Sequence, residues 1–152
     1  MIKKILILCL FSIVTYSQVK FDANFESGNI NTVSTTDSVT FNVTTKQDIG
    51  GRWFYFRISG VKNRFVRVKV TNSDVKRAMY SYDNKTFKRF TLSESPSTNV
   101  FQKTYENDTV FVAYYSPYVL SKIDEKLELW AQNPNCVINT FGYTNHNLPM
   151  RE

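Results

Sequence analysis

The sequence predicts a mostly β protein, an antiparallel β-sandwich of jelly-roll-like character with one helix near its C-terminal end. Three observations carry this prediction. Several segments alternate apolar and polar residues with a period of two, as a strand with one wet face requires. These segments are short and recur at regular spacing between turn residues, the habit of a sandwich. A helical period is confined to residues 121–130, where Ile123, Leu127 and Trp130 fall on one face.

Residues 1–17 precede the fold. Lys3 and Lys4 give a charged start, and residues 5–14 form an apolar run too short to span a bilayer. Thr15 and Ser17 supply small residues for cleavage after Ser17. This is the pattern of a signal peptide, so a secreted or periplasmic location is expected. Bulky Leu8 before Cys9 argues against a lipoprotein signal, and an uncleaved anchor is the other alternative. Removing residues 1–17 from 152 leaves 135 residues, the size of one domain, and lowers the formal charge from +6 to +4. Cys136 is then the only cysteine, so no intramolecular disulfide forms and an apolar core must hold the fold. On an expected strand, Cys136 reads as a small buried residue.

Residues 20–26 (KFDANFE) alternate and are closed by the turn Ser27-Gly28-Asn29. In SVTFNVTTK, Val39, Phe41 and Val43 share one face. Gly50-Gly51 then breaks the chain. Residues 52–59 (RWFYFRIS) are bulky on both faces, which predicts a strand buried on both sides. In RFVRVKVT, Val66, Val68 and Val70 point inward, with Arg67 and Lys69 outward. Shorter strands are expected at 79–82, 87–91, 100–104 and 109–115, with turns at Asp83-Asn84-Lys85 and Glu106-Asn107-Asp108 and a loop at 93–98. Pro117 ends the last of these strands. Ser121 with Asp124 resembles a capping box opening the helix, and Asn133-Pro134-Asn135 closes it. CVINTFG reads as one more strand, and residues 147–150 lead towards another. The chain stops at Glu152 where that strand should begin, so a piece of a longer protein is expected.

Charge and motifs exclude more than they assign. Residues 46–89 hold twelve Lys/Arg against three Asp, whereas residues 101–152 hold four basic against six acidic. The basic middle reads as solvated strand faces, with an acidic partner as the functional alternative. No recognition helix or RNA-binding signature accompanies it, which argues against nucleic acid. His146 is the only histidine, so the chain offers no multi-histidine metal site, and in a polar loop it is a poor base for a serine or cysteine nucleophile. Asp22 and Glu26 are the nearest pair of carboxylates by type, at a spacing common on strands. Sequons at Asn42, Asn84 and Asn107 are frequent by chance in an Asn- and Thr-rich chain. The aromatic runs WFYF and AYYSPY read as core, or else as a sugar-stacking platform.

Three segments together resemble one family. FDANFESGNI (21–30), RWFYFRISG (52–60) and VFVAYYSPYVLSKIDEKL (110–127) are similar to the N-terminal domain of zinc metallocarboxypeptidases of the cytosolic-carboxypeptidase-like branch. That domain carries Phe-Glu-Ser-Gly-Asn, then Trp-Phe-Tyr-Phe, then Ala-Tyr-x-x-Pro-Tyr-x-x-Ser before a helix, in this order. FGYTNHNLPM resembles the start of the peptidase domain, often Gly-x-Ser/Thr-x-x-Gly-Arg: Gly142 and Thr144 match, and Asn147 and Leu148 stand in place of Gly and Arg.

The resemblance implies a β-sandwich accessory domain at 18–118, followed at 119–152 by a connecting helix and the start of an α/β peptidase domain missing here. It implies a parent enzyme that removes C-terminal residues from peptides or proteins, with one zinc held by His-x-x-Glu and a later His, and a Glu as general base. None of those residues lies in this chain, so catalytic residues, metal ligands and cofactor are all expected to be absent from it, and the chain alone inactive. The expected partners are the catalytic domain in cis and the peptide or protein substrate of the parent, with no nucleic acid and no membrane span after cleavage. Phe25, Glu26, Gly28, Asn29, Trp53, Tyr55, Tyr114, Pro117, Tyr118 and Ser121 match the motifs, and packing and interdomain contact are implied for them. A stand-alone secreted binding module for glycan or protein is the alternative function.

Overall fold

The computed structural model of the chain describes residues 18–47, 52–71 and 73–152. The signal-peptide segment with Cys9 and the Gly50-Gly51 break lie outside the described residues.

In chain order the strands are β1 (Lys20–Asp22), β2 (Thr32–Thr35), β3 (Thr40–Thr44), β4 (Tyr55–Ser59), β5 (Phe65–Val70), β6 (Met79–Ser81), β7 (Lys88–Arg89), β8 (Val100–Thr104) and β9 (Thr109–Ala113). Helix α1 (Leu120–Ala131) and strands β10 (Thr140–Tyr143) and β11 (Pro149–Arg151) follow. One sheet has the order β1-β4-β9-β6-β7 and the other β2-β3-β5-β8, while β10 and β11 form a separate hairpin. All pairings are antiparallel except that of β3 with β5. That pair is parallel because β4, between them in sequence, crosses to the other sheet.

The predicted alternation places the core. Phe41 and Val43 of β3, Val66, Val68 and Val70 of β5 and Phe101 of β8 are buried, as are Phe56 and Ile58 of β4 and Val110 and Val112 of β9. Phe54 lies 5.8 Å from Phe56 and 5.9 Å from Phe101 between ring centroids, and Phe101 stacks on Phe90 at 5.5 Å. This aromatic seam joins the two sheets. Burying such side chains is worth about 1.5–3 kcal/mol each.

Several expected elements differ in extent. The strand expected at 20–26 stops at Asp22, because the Asn24 amide donates to Asp22 Oδ1 at 2.8 Å and residues 25–28 close a turn. β4 begins at Tyr55 rather than Arg52, and Arg57 on its outer face is exposed and paired with Asp22. Strand β2 was not anticipated. All four of its residues are exposed, so it carries no apolar alternation and is held by its ladder with β3. Ser121 with Asp124 is not a capping box: the N-cap is Val119, and no side chain caps the helix from that position. Cys136 lies outside β10 in the loop after α1, half-buried.

The β2–β3 turn is closed by Asp37, whose Oδ1 accepts the amides of Thr40 at 2.6 Å and Val39 at 2.9 Å. The Thr40 amide first, then that of Val39, holds the carboxyl down at about 2. The folded value lies below the unfolded one of about 3.9, so this contribution is present above pH 4 and is lost as pH falls towards 2. Denaturant unfolding from pH 5 to pH 2 should show Asp37→Ala losing less stability over that window than the wild type. An equal loss in both would remove Asp37 from the acid response.

Candidate functional site

A cleft of about 560 Å3 lies between the outer face of the five-stranded sheet and helix α1. Phe25, Glu26, Tyr55, Pro117, Tyr118 and Ser121 line it, together with Asn84, Lys85 and Lys122. Six of the ten motif residues therefore meet at one place, although they come from three distant stretches of chain.

Tyr55 is the floor. It is 3% exposed. Phe25 meets it edge-on at 4.8 Å, Phe87 at 6.1 Å, and Phe111 of β9 lies 6.4 Å away. Its hydroxyl donates to Asn84 Oδ1, and burial raises its pKa. Asn84 is at φ 60° in the predicted Asp83 turn, where Asp83 Oδ1 accepts the amides of Lys85 and Thr86. The turn thus presents Asn84 to the tyrosine.

Glu26 forms the wall. Its carboxylate accepts the Ser121 amide at 3.0 Å and the Ser121 hydroxyl at 2.6 Å. These bonds, the hydroxyl foremost, hold the Glu26 carboxyl below its usual range. An amide in the first turn of a helix has no partner within the helix, and here a carboxylate 95 residues away supplies one. Pro117 is buried beside it, and its carbonyl accepts Lys122 Nζ at 3.1 Å. Tyr118 is 68% exposed at the cleft mouth. Glu26→Ala should remove this cap, worth about 1 kcal/mol, and speed amide hydrogen exchange at the start of α1. Unchanged exchange at Ser121 and Lys122 would show that the helix is held by other contacts.

Gly28, Asn29 and Trp53 brace the cleft from behind. A Cβ on Gly28 would lie 2.2 Å from the Ala23 carbonyl oxygen, so only glycine fits. Asn29 Nδ2 donates to the Trp53 carbonyl at 2.9 Å, and its Oδ1 accepts the Lys46 amide at 2.9 Å. Trp53 Nε1 donates to the Ser27 carbonyl at 2.9 Å. Tyr114 stands apart from the cleft: its ring packs on Phe54 at 5.9 Å and its hydroxyl donates to Asp74 at 2.8 Å, which raises its pKa. WFYF is therefore core and brace, and in AYYSPY only Tyr115 and Tyr118 among the rings are exposed.

Sequence reading missed Asn84 and Lys85 as cleft residues. The one available signal was the turn itself, which named them without showing which face they would join. The Asp22 and Glu26 carboxylates are tied to different partners, Arg57 and Ser121. His146 is exposed in the turn between β10 and β11. Among the described residues, no group of three or more His, Cys, Asp or Glu side chains could hold a metal ion. No helix among them is long and apolar enough to cross a membrane.

Comparison with known proteins follows the same outline. Residues 21–115 match the family model described as the cytosolic carboxypeptidase N-terminal domain. The fold is similar to that of a metallo-carboxypeptidase from Burkholderia cenocepacia, with TM-score 0.75 and 22% identity, over 88% of this chain and 38% of that one. It is also similar to a metallo-carboxypeptidase from Pseudomonas aeruginosa solved with (2-guanidinoethylmercapto)succinic acid, with TM-score 0.72 and 19% identity, over 87% of this chain and 39% of that one. The chain thus spans less than two-fifths of the length of these structures. No curated protein matches it.

Proposed function

Given that the chain belongs to the cytosolic carboxypeptidase N-terminal domain family, we propose that it is the accessory domain of a secreted or periplasmic zinc carboxypeptidase. In this reading residues 1–17 direct export, residues 18–118 form the accessory sandwich, and residues 119–152 lead into a catalytic domain in cis. The parent enzyme removes C-terminal residues from extracellular or periplasmic peptides or proteins. Zinc and the groups that do chemistry belong to the catalytic domain, and the present chain alone is inactive. The ten motif residues act by packing and by setting the direction in which the chain leaves the sandwich.

The observation that carries the reading is the family match over residues 21–115. The cleft adds a mechanical reason. Glu26 belongs to the sandwich and accepts the amide and hydroxyl of Ser121 in the first turn of α1, so whatever follows the helix inherits a defined orientation.

The test is the intact mass and metal content of the native protein, captured with an antibody raised against this domain. The expected species is well over twice the mass of this chain, begins at Gln18, and carries one zinc per molecule. A native species of about domain size without zinc would overturn the reading. Glycan binding by that species, lost in Trp53→Ala with the fold intact, would replace it with a binding module.

A further inference from the structure

A second hollow, of about 460 Å3, is lined by Asp74, Val75, Lys76, Arg77, Arg89, Tyr114 and Tyr115. Three of these seven residues are cationic. The one carboxylate, Asp74, is already engaged: Arg52 approaches Oδ2 at 2.8 Å and the Tyr114 hydroxyl donates to Oδ1 at 2.8 Å. Among the described residues no carboxylate pairs with Lys76, Arg77 or Arg89.

The two arginines are nevertheless held in place. Arg77 Nε donates to the Phe90 carbonyl at 2.7 Å, and Arg89 Nη1 donates to the Arg77 carbonyl at 3.2 Å. The Arg89 guanidinium also lies over the Tyr115 ring, 5.3 Å from its centroid. Their residues sit on neighbouring segments, because Met79 of β6 pairs with Arg89 of β7. Each guanidinium uses one donor group on a carbonyl and keeps others, since each carries five N–H donors. Holding two guanidinium groups against one small hollow costs electrostatic energy unless an anion offsets it.

From this we propose that the hollow is a binding site for a tetrahedral, doubly charged oxyanion, a phosphate or sulfate group. A single carboxylate is matched by one guanidinium fork. A tetrahedral oxyanion carries enough acceptor oxygens and charge for both forks and the Lys76 ammonium. Tyr115, 48% exposed, supplies an apolar wall on which a carrier of that group would rest. The group is either free or borne on a polymer such as a sulfated glycan. The hollow shares no residue with the cleft under α1, and of the ten motif residues only Tyr114 lines it.

The test is a titration of the full chain, labelled with 15N, with sodium phosphate and with sodium sulfate at constant ionic strength, using chloride as the reference. Saturable shifts are expected at the amides of Val75, Lys76, Arg89 and Tyr115. Arg89→Gln and Lys76→Gln should each weaken binding about tenfold, while Arg67→Gln on the other sheet should leave it unchanged. Arg77→Gln and Arg89→Gln each also remove a bond to a backbone carbonyl, so Lys76→Gln is the cleaner probe and native-like spectra of the free variants are required of both arginine changes. A parallel titration with heparin separates the sources: tighter binding at the same amides, still lost in Arg89→Gln, marks a polymer-borne group, and equal affinity per sulfate marks a free anion. Shifts that fail to saturate, or that persist unchanged in Arg89→Gln and Lys76→Gln, would overturn the proposal.

Discussion

Replacing Gly28 by alanine should destabilise the domain by about 3 kcal/mol, the upper end of the cost of forcing an extra methyl into a packed site. The obstacle is backbone and cannot swing aside. The new Cβ would lie 2.2 Å from the Ala23 oxygen and 2.8 Å from its carbonyl carbon, with the Phe25 oxygen at 3.0 Å. The turn must therefore open, and Phe25 and Glu26 move with it. Urea unfolding should show a lower midpoint for Gly28→Ala with an unchanged slope. Exchange at Ser121 should quicken in the same variant, because Glu26 is displaced. An unaltered midpoint would mean that the turn has slack the structure does not show.

Tyr55→Ala should cost about 3–5 kcal/mol, as for other buried large-to-small aromatic changes. Tyr55→Phe should cost only about 1 kcal/mol, the worth of the hydroxyl's bond to Asn84. The pair separates packing from hydrogen bonding. Phe25, Phe87 and Phe111 all lean on this ring, so the alanine variant leaves a void under the cleft as well as a weaker sheet. Both values come from urea midpoints. Similar losses in the two variants would place the value of Tyr55 in its hydroxyl, against the argument made for the cleft floor.

These predictions rest on residues that sequence reading reached by different routes. β5 was legible outright, since Val66, Val68 and Val70 alternate with Arg67 and Lys69 and burial follows that alternation. The motif residues were named only through a family resemblance. Nothing in their spacing shows that Phe25, Tyr55 and Pro117 meet, because the cleft depends on where β4 and β9 pair. Strand β2 was illegible for a plain reason: an edge strand with every side chain in water has no apolar pattern to read. The capping box failed because local rules look for a partner three residues away, while the partner of Ser121 lies in another motif. The basic stretch 46–89 dissolved into separate roles once folded. Arg57 pairs with Asp22, Arg52 with Asp74, Arg67 donates to Gln102, Lys85 lines the cleft under α1, and Arg77, Arg89 and Lys76 line the second hollow.

The order β1-β4-β9-β6-β7 has a consequence for how the molecule is made. Its central strand, β9, is synthesised after the other four. At about 5–20 residues per second, the ribosome needs roughly 3–11 s to go from Ser59, the end of β4, to Ala113. During that interval β4 and β6 have no strand between them, and their facing edges lack partners. β9 then seats like a keystone, and Pro117 with the first turn of α1 follows it onto the cleft within a few more residues. A newborn chain is therefore most exposed to proteases and to stray strand pairing just before residue 113 emerges. Shortening the message upstream of that point should leave a chain that chaperones and proteases recognise as unfinished.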